Sequence, residues 1–269
     1  MVNRAEALLP MYALPEMAAV NEGFWAALRK DVNLPDLPER LSPAPAGLPA
    51  SIAAETVFSQ MCGYPLKRLY ANQFIILGTP LYDLPGCGTR SDGMPMHCSL
   101  VVVAREAGYG KPGDLRGARF AVNGFDSNSG MNLPRRLFAD IAGGAPFFSA
   151  VTVTGSHVAS MAAVAAGAAD AAAIDCVTFG FCALYRPEAG AGLRILARTP
   201  ASPAIPFITS SATPPATVAR LMQALAGPAL AAALSGLRVI RVTPPRPEAY
   251  EMVLTLEGEA AALGYPVLA

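Results

Sequence analysis

Short segments rich in Val, Ile and Leu alternate along this chain with longer segments of small or amphipathic residues. The clearest of them is residues 97–105, whose centre, LVVV at 100–103, is the continuous apolar run typical of a strand buried on both faces. Strands that alternate with crossover helices are the pattern of an α/β protein. The sequence therefore predicts an α/β fold.

The length of the chain, 269 residues, is greater than a single hydrophobic core usually supports, and it favours two lobes. Proline-rich joints near residues 105–113 and 198–206 indicate that a middle segment is inserted between two flanking ones. We therefore predict one lobe from residues 1–104 and 201–269, and a second lobe from residues 105–200. Two extended crossings would join the lobes and act as a hinge.

The alternating pattern also gives the expected elements, and in the first helix it directs Phe24, Trp25 and Leu28 toward the core. Strands are predicted at 7–14, 52–59, 73–82, 97–105, 119–123, 150–154, 171–176, 193–198, 206–209 and 237–241. Helices are predicted at 16–30, 156–166, 216–225, 228–234 and 247–263, with a further helix after the loop that follows residue 123.

Composition excludes several classes of protein. The 20 Lys and Arg residues are balanced by 20 Asp and Glu residues, so nucleic acid is not an expected partner. A hydrophobic content of 53% excludes a disordered chain, yet no apolar stretch of about 18 residues is uninterrupted, so no membrane span is expected. The N-terminus shows no export signal. We expect the protein in the periplasm if a signal has been removed, and in the cytoplasm if Met1 is the natural start.

The most informative motif is FAVNGFDSNSG at residues 120–130, an apolar strand that ends in small polar residues before a helix. This arrangement places Ser127, Asn128 and Ser129 at a helix N-terminus, where free N–H groups and the helix dipole favour an anion. The alternative interpretation is a simple helix cap, because Ser and Asn are standard capping residues. Pro134 removes a backbone donor, so the first turn can be separate from the helix that follows it.

Two more junctions repeat this geometry. Ser156 and His157 follow a strand at residues 150–154, and Asp175 closes the apolar strand at 171–176. Ligands of open α/β sheets bind beyond the carboxyl ends of the strands, so these side chains could share a site if their strands are neighbours. A surface cap is the alternative for His157, and Asp175 needs donors around it or a position facing the site.

Three tyrosines follow strands in the first lobe: Tyr12, Tyr64 and Tyr82. Their hydroxyls could form the opposite wall of a binding site, although each of them alone is explained by half-buried packing.

Five cysteines are scattered without a Cys-x-x-Cys pair, so buried free thiols are expected and no metal or cofactor is predicted. One disulfide bond, between Cys87 and Cys98, could form in an oxidising compartment. Nucleotide-binding and nucleophile-elbow motifs are absent. A catalytic triad of Ser129, His157 and Asp175 is conceivable, but two of the three are at helix starts, which suits anion binding better.

Taken in order, QMCGYP at 60–65, PLYD at 80–83, DSNSG at 126–130, GSH at 155–157 and AID at 173–175 resemble one known family. It is the phosphate, phosphite and phosphonate substrate-binding protein family of ABC transporters, and the similarity runs from about Leu8 to the end. The Ser-x-Ser-Gly loop followed by Ser-His is its most specific part. The resemblance implies a two-lobe type II periplasmic-binding-protein fold that closes its interlobe cleft over a small oxyanion.

By the same resemblance, Ser127, Asn128, Ser129, Ser156 and His157 would bind the anion. Tyr12, Tyr64 and Tyr82 would cover the ligand, and an ABC permease would be the protein partner. Asp175 lies where family members that bind aminophosphonates place one carboxylate, but residues 199–203 contain no second acid. This departure argues against specificity for aminoalkylphosphonates.

The resemblance implies binding without chemistry, so the chain is not predicted to be an enzyme. The alternative is a cytosolic biosynthetic enzyme on the same two-lobe scaffold that acts on a small anionic metabolite, with Asp175, His157 or a tyrosine as acid or base. A transcriptional regulator is a third class, which lacks support because no helix-turn-helix segment precedes the first strand.

Overall fold

The computed structural model describes residues 5–43 and 55–269, and the chain divides into two compact units. Unit 1 contains the described residues of Met1–Asp83 together with Gly88–Met96 and Pro203–Tyr250. Unit 2 contains Leu84–Cys87, His97–Ser202 and Glu251–Ala269.

The strands in chain order are β1 (Glu6–Ala7), β2 (Thr56–Gln60), β3 (Phe74–Tyr82), β4 (Gly88–Thr89), β5 (Pro95–His97), β6 (Ser99–Ala104), β7 (Arg119–Val122), β8 (Ala150–Val153), β9 (Ala171–Asp175), β10 (Leu193–Arg198), β11 (Ser202–Pro203), β12 (Phe207–Ser210) and β13 (Val239–Thr243). The α-helices are α1 (Ala18–Val32), α2 (Gly63–Arg68), α3 (Leu133–Ala142), α4 (His157–Ala165), α5 (Cys176–Tyr185), α6 (Pro187–Ala191), α7 (Pro215–Ala226), α8 (Ala231–Gly236) and α9 (Met252–Ala262). Short 3-10 turns lie at Pro15–Met17, Pro112–Leu115, Pro228–Leu230 and Pro247–Glu251, and a π-helical turn spans Asn128–Asn132.

Unit 1 is built on a five-stranded sheet with the order β1-β2-β12-β3-β13. An aromatic cluster joins α1 to this sheet: Phe24 stacks on Phe207 at 5.7 Å between ring centroids, and Trp25 stacks on Phe58 at 5.6 Å. The Trp25 indole N–H also donates to the Pro38 carbonyl at 3.0 Å. The prediction that α1 directs its aromatic residues into the core is therefore confirmed.

Unit 2 is built on a second five-stranded sheet with the order β10-β6-β9-β7-β8. Strand β7 pairs in parallel with both β8 and β9, whereas β6 is antiparallel to β9 and β10. Residues 100–103 of β6 are at most 1% exposed, which confirms a strand buried on both faces.

The unit boundaries differ from the predicted division of 1–104 with 201–269 and 105–200. Strand β6 pairs with β9 and β10 and so belongs to the sheet of unit 2. Helix α9 belongs to unit 2 as well, where the Asn132 side chain donates to the Val253 carbonyl at 3.0 Å. Both differences arise from pairings between distant segments, which proline-rich joints do not reveal.

Several predicted bounds need correction: the strand predicted at 97–105 is interrupted at Cys98, and the helices predicted at 228–234 and 247–263 begin with 3-10 turns. The strand predicted at 7–14 is too long: β1 covers Glu6–Ala7, the Leu8 N–H still donates to the Phe58 carbonyl of β2 at 2.9 Å, and Pro10 has no N–H for a ladder. The strand predicted at 237–241 begins later, at Val239, because Arg238 adopts a left-handed conformation with φ of 57°. The first residues of the strand predicted at 52–59, residues 52–54, lie outside the described residues; the remainder forms most of β2.

Among residues 5–43 and 55–269, no single helix has the length and apolar character to cross a membrane. One pair of helices, Pro215–Ala226 and Pro228–Gly236, meets the length and composition test only when taken together, and it is bent by 62° at its break.

Candidate functional site

Three strand-to-helix junctions lie at one edge of the unit 2 sheet. Because β7 is parallel to β8 and β9, the carboxyl ends of these three strands point to the same edge. The π-helical turn at Asn128–Asn132 follows β7, α4 follows β8, and α5 follows β9. The start of β6 lies at this edge too, since Ser99 pairs with Asp175. The structure thus brings together the three junctions that the sequence singled out in this half of the chain.

The first junction is a buried polar turn rather than the start of a regular α-helix. Ser127 caps it, and its Oγ accepts a hydrogen bond from the Gly130 N–H at 2.9 Å. The turn from Asn128 to Asn132 is π-helical and buried, and α3 begins at Leu133 with Pro134 in its first turn. The predicted separation of the first turn from the rest of the helix is confirmed. Within this turn the Gly130 N–H donates to Ser127 Oγ and the Asn132 N–H donates to the Ser127 carbonyl at 3.0 Å.

Asn128 is held from two sides within this turn. Its Nδ2 donates to Ser202 Oγ at 2.8 Å, and its Oδ1 accepts from Asn132 Nδ2 at 2.9 Å. Both polar atoms of the side chain therefore have partners in unit 2. In this structure Asn128 fixes the turn, and its contribution to an anion site would come from its backbone.

Ser129 contacts His157 across the first and second junctions. The distance from Ser129 Oγ to His157 Nε2 is 2.9 Å. The Ser129 carbonyl accepts from Ser99 Oγ at 2.7 Å, and the Ser99 N–H donates to Thr199 Oγ1 at 2.9 Å. Ser129 is buried, with 3% of its surface exposed. The His157 imidazole contacts its hydroxyl, and Ser99 of β6 donates to its carbonyl.

His157 is partly buried as the first residue of α4. Burial lowers the pKa of its imidazole below 6.5, and the nearby His97 acts in the same direction, while the Asp175 charge and the Ala173 backbone oppose the shift. The neutral imidazole is therefore favoured at pH 7 in the structure described. A neutral ring can donate from one nitrogen and accept at the other.

Ser156 is the exposed member of the second junction. Its Oγ accepts from the Ala159 N–H at 3.1 Å and caps α4. The capping interpretation of the first junction is thus confirmed for Ser127, and Ser156 caps α4 in the same way. A hydroxyl that accepts one hydrogen bond still carries its own proton, so both side chains remain able to donate to an anion.

Asp175 at the third junction is paired with His97 rather than His157. His97 Nδ1 and Asp175 Oδ2 are 2.9 Å apart, and the other carboxylate oxygen accepts from the Val177 and Thr178 N–H groups at 2.9 and 3.0 Å. Burial raises the pKa of Asp175, but the hydrogen bond and charge of His97, the His157 charge and the Thr178 amide outweigh it, so the pKa lies below 3.8.

This pairing leaves the Ser129–His157 contact without an acid to orient its imidazole. A catalytic triad needs the carboxylate on the same histidine that contacts the nucleophile. The conceivable triad of Ser129, His157 and Asp175 is therefore not assembled here. Asp175 is 1% exposed and its oxygens are occupied by three donors, so it orders α5 and His97.

The sequence did not identify His97, Ser99, Thr199 and Ser202 as part of this edge. His97 lies 78 residues before Asp175, and its Nε2 is buried with no hydrogen-bond partner among the described residues. The only available signal was that each is a polar residue beside an apolar strand. Their roles follow from the pairing of β6 with β9, which residue spacing does not show.

The three tyrosines all lie in unit 1 and are buried. The rings of Tyr12 and Tyr82 meet edge to face at 5.4 Å, and Gln60 Nε2 donates to the Tyr82 hydroxyl at 3.1 Å. Tyr64 lies in the short helix α2 and is 6% exposed. The structure places Tyr12 and Tyr82 together, and the function of all three in ligand binding stays a prediction.

All five cysteines are free thiols, so the bridge considered between Cys87 and Cys98 is not present. The sulfur of Cys87 lies against Cys176 instead, at 3.5 Å. Short spacing along the chain suggested the wrong neighbour, because Cys176 reaches this position from the end of β9. Within the described parts of the chain, no group of three or more His, Cys, Asp or Glu residues has a metal-binding arrangement.

Solved structures with the same fold include a periplasmic binding protein and the three proteins that follow. One is a binding protein component of an ABC phosphonate transporter from Pseudomonas aeruginosa, with a TM-score of 0.75, 14% identity, and coverage of 97% of this chain and 88% of that chain. Another is PhnD1 from Prochlorococcus marinus in complex with methylphosphonate, with a TM-score of 0.74, 14% identity, and coverage of 96% and 98%. A third, a Xanthomonas citri protein bound to ATP, has a TM-score of 0.64, 16% identity, and coverage of 97% and 98%. The predicted α/β fold with two lobes is confirmed.

The sequence also matches a family. A sequence model described as "ABC transporter, phosphonate, periplasmic substrate-binding protein" matches residues 84–250, which is more than half of the chain. The protein belongs to this family of substrate-binding transport proteins, and the resemblance noted in the sequence is confirmed. No curated protein sequence matches the chain significantly.

Proposed function

We propose that this protein captures a small phosphorus oxyanion, a phosphonate, phosphite or phosphate, at the carboxyl edge of β7, β8 and β9 and delivers it to an ABC importer. The observation that carries the proposal is the 2.9 Å contact between Ser129 Oγ and His157 Nε2. It joins two helix starts that follow adjacent parallel strands, which is a favourable place for an anion in an α/β sheet.

The donors at this edge suit a tetrahedral anion. Ser127, Ser129 and Ser156 carry hydroxyl protons, and the π-helical turn and α4 add backbone N–H groups. Hydrogen bonds to a charged acceptor are stronger than those between neutral groups, so several neutral donors together can replace the hydration shell of the anion. The partly buried His157 would add a further donor, and a bound anion would favour its protonated form.

Binding without chemistry is the function that these contacts support. Asp175 is occupied by His97 and two backbone amides, so it neither orients His157 nor offers a free carboxylate to an amine. This arrangement supports an anion without an amino group as the preferred ligand. Because members of the family are periplasmic substrate-binding proteins, we propose a periplasmic location and an ABC permease as the partner.

A thermal-shift screen of the purified protein tests the ligand class. The panel contains phosphate, phosphite, methylphosphonate, aminoethylphosphonate, methanesulfonate and small dicarboxylates, because a ligand that binds only the folded state raises the melting temperature. We expect a rise with one or more phosphorus oxyanions and a smaller effect of aminoethylphosphonate.

Ser149→Ala is the matched control for Ser129→Ala, because Ser149 is exposed and precedes β8 at the opposite edge of the same sheet. The rise should be lost in Ser129→Ala and kept in Ser149→Ala. If no phosphorus oxyanion shifts the melting temperature of the unmodified protein, the proposal is wrong. The alternative, an enzyme acting on larger anionic metabolites, would then be favoured.

A further inference from the structure

Three cysteine thiols meet in unit 2 although they are far apart in the sequence. Cys87 ends the segment Leu84–Cys87, Cys98 precedes β6, and Cys176 is the first residue of α5. The sulfurs of Cys87 and Cys176 are 3.5 Å apart across 89 residues of chain, and the Cys98 thiol hydrogen-bonds to Cys176. Cys176 is therefore the central thiol of the cluster.

Gly86 makes this close approach possible. Its φ is +95°, a left-handed conformation that favours glycine. A Cβ atom at this position would lie 2.7 Å from Cys176 Cβ, 3.2 Å from the Cys176 sulfur and 3.3 Å from the Cys98 sulfur. Any other residue would push the segment away from α5, so a glycine directly before Cys87 holds its thiol against Cys176.

We propose that Cys87 and Cys176 are an oxidation site and form a disulfide bond when the protein meets a disulfide oxidant. The two sulfurs need to approach by about 1.5 Å to reach the S–S bond length of about 2.05 Å. The family to which the chain belongs is periplasmic, and the bacterial periplasm is kept oxidising by dithiol–disulfide oxidoreductases. An oxidant of the required class is therefore present in that compartment.

The reaction is a pair of thiol–disulfide exchanges. The Cys87 thiolate attacks one sulfur of the oxidant, which forms a mixed disulfide and releases the first thiolate of the oxidant. The Cys176 thiolate then attacks the Cys87 sulfur and releases the second. The two cysteines lose two electrons and two protons, and the oxidant gains both and becomes two thiols.

The order of these steps follows from accessibility. Cys87 is partly exposed, whereas Cys98 and Cys176 are 6% and 0% exposed, so an oxidant reaches Cys87 first. The hydrogen bond with Cys87, with burial, raises the pKa of Cys176, and the hydrogen bond with Cys176, with burial, raises the pKa of Cys98. Both shifts disfavour the thiolate form of the inner cysteines, which also makes Cys87 the first to react.

The bond would fasten the segment Leu84–Cys87 to the first turn of α5, next to Asp175. A cross-link that closes a long loop restricts the unfolded chain and stabilises the fold. For a loop of this length in a protein of this size, we expect the melting temperature to rise by about 5 °C or more. Dithiothreitol should reverse the rise.

The test uses the full chain with oxidised glutathione as the oxidant. Free thiols are counted with Ellman's reagent in denaturant, and disulfide-linked peptides are identified by mass spectrometry. We expect the thiol count to fall from five to three, with Cys87 linked to Cys176. Cys87→Ser should keep all four of its thiols. Cys62→Ser is the control, because Cys62 lies in unit 1, and its thiol count should fall from four to two.

Two results would overturn the proposal. One is a full count of five thiols after oxidation of the unmodified protein. The other is a main product in which Cys98 is linked to Cys87 or to Cys176. If Cys87→Ser does not fold, the peptide map of the unmodified protein still decides between these outcomes.

Discussion

Ser129 Oγ lies 2.9 Å from His157 Nε2, although the two residues are separated by 28 positions in the sequence. The contact exists because β7 and β8 pair in parallel and each is followed directly by a helical turn. The two side chains extend from neighbouring strand ends over the same edge of the sheet. This contact is the basis of the proposed anion site, and the contribution of each residue to binding can be tested by its own substitution.

The first prediction concerns the buried pair of Asp175 and His97. Asp175→Asn removes the charge that accepts hydrogen bonds from His97 and from two amides of α5. We expect the free energy of unfolding at pH 7 to fall by about 2–4 kcal/mol, because charge-assisted hydrogen bonds in the interior are costly to break. Urea unfolding followed by circular dichroism measures the change.

Asp170→Asn is the matched control for this variant. Asp170 pairs with Arg119 at 2.8 Å, but the two side chains are 26% and 48% exposed. A pair exposed to this extent contributes about 1 kcal/mol or less. Equal losses of stability in both variants would show that the Asp175 contacts are not the buried charge pair described above.

The second prediction is a pH dependence of stability that originates at His157. Its pKa in the folded protein lies below the ordinary 6.5, so above pH 6.5 the ring is neutral in both states and contributes nothing. As the pH falls through 6.5, the unfolded chain takes up the proton first, and the free energy of unfolding decreases. One group can contribute a slope of at most about 1.4 kcal/mol per pH unit.

Urea unfolding of the unmodified protein and of His157→Gln at pH 7.5, 6.5 and 5.5 measures this effect. As the pH falls, the free energy of unfolding of the unmodified protein should decrease relative to that of His157→Gln, because glutamine does not titrate. Every other titrating group, including His97 and Asp175, is present in both proteins. A constant difference across the three pH values would contradict a lowered pKa for His157.

The third prediction concerns Gly130, which lies directly after Ser129. A Cβ atom at Gly130 would lie 1.7 Å from Asn123 Oδ1 and 2.9 Å from its Cγ. Gly130→Ala should therefore displace the π-helical turn, lower the free energy of unfolding by about 1–3 kcal/mol and weaken anion binding.

Gly23→Ala provides the comparison. Gly23 is an exposed position within α1 with nothing within 4 Å of its added Cβ, so the change should raise stability by up to about 1 kcal/mol. Chemical denaturation of both variants gives the two values. A Gly130→Ala protein as stable as the unmodified one would mean that the turn has room for a side chain.

Several features of this protein could be predicted from local pattern alone. The continuous apolar run in β6 identified a buried strand, and the capping residues Ser127 and Ser156 marked the helical turns that follow β7 and β8. Gly167, with φ of +72°, lies just beyond α4 as expected of a helix end. These features depend on neighbours in the chain, and the sequence displays such neighbours directly.

Other features depend on residues that are distant in the sequence. The pairing of His97 with Asp175 and the approach of Cys87 to Cys176 span 78 and 89 positions. The misplaced first strand has a different cause, because Leu9, Tyr12 and Leu14 are buried although they lie beyond β1. Burial and strand pairing select for similar residues, and Pro10 was the only local sign that pairing would stop.

The most direct test of the proposed anion site is calorimetric titration of methylphosphonate into the unmodified protein, Ser129→Ala and His157→Ala at pH 7. Each variant removes one donor of a pair that would grip the same anion, so we predict that each weakens binding at least tenfold, by about 1.4 kcal/mol or more. Unchanged circular dichroism would establish that both variants are folded. Binding by the unmodified protein with the same affinity in both variants would contradict the assignment of the site to the Ser129–His157 contact.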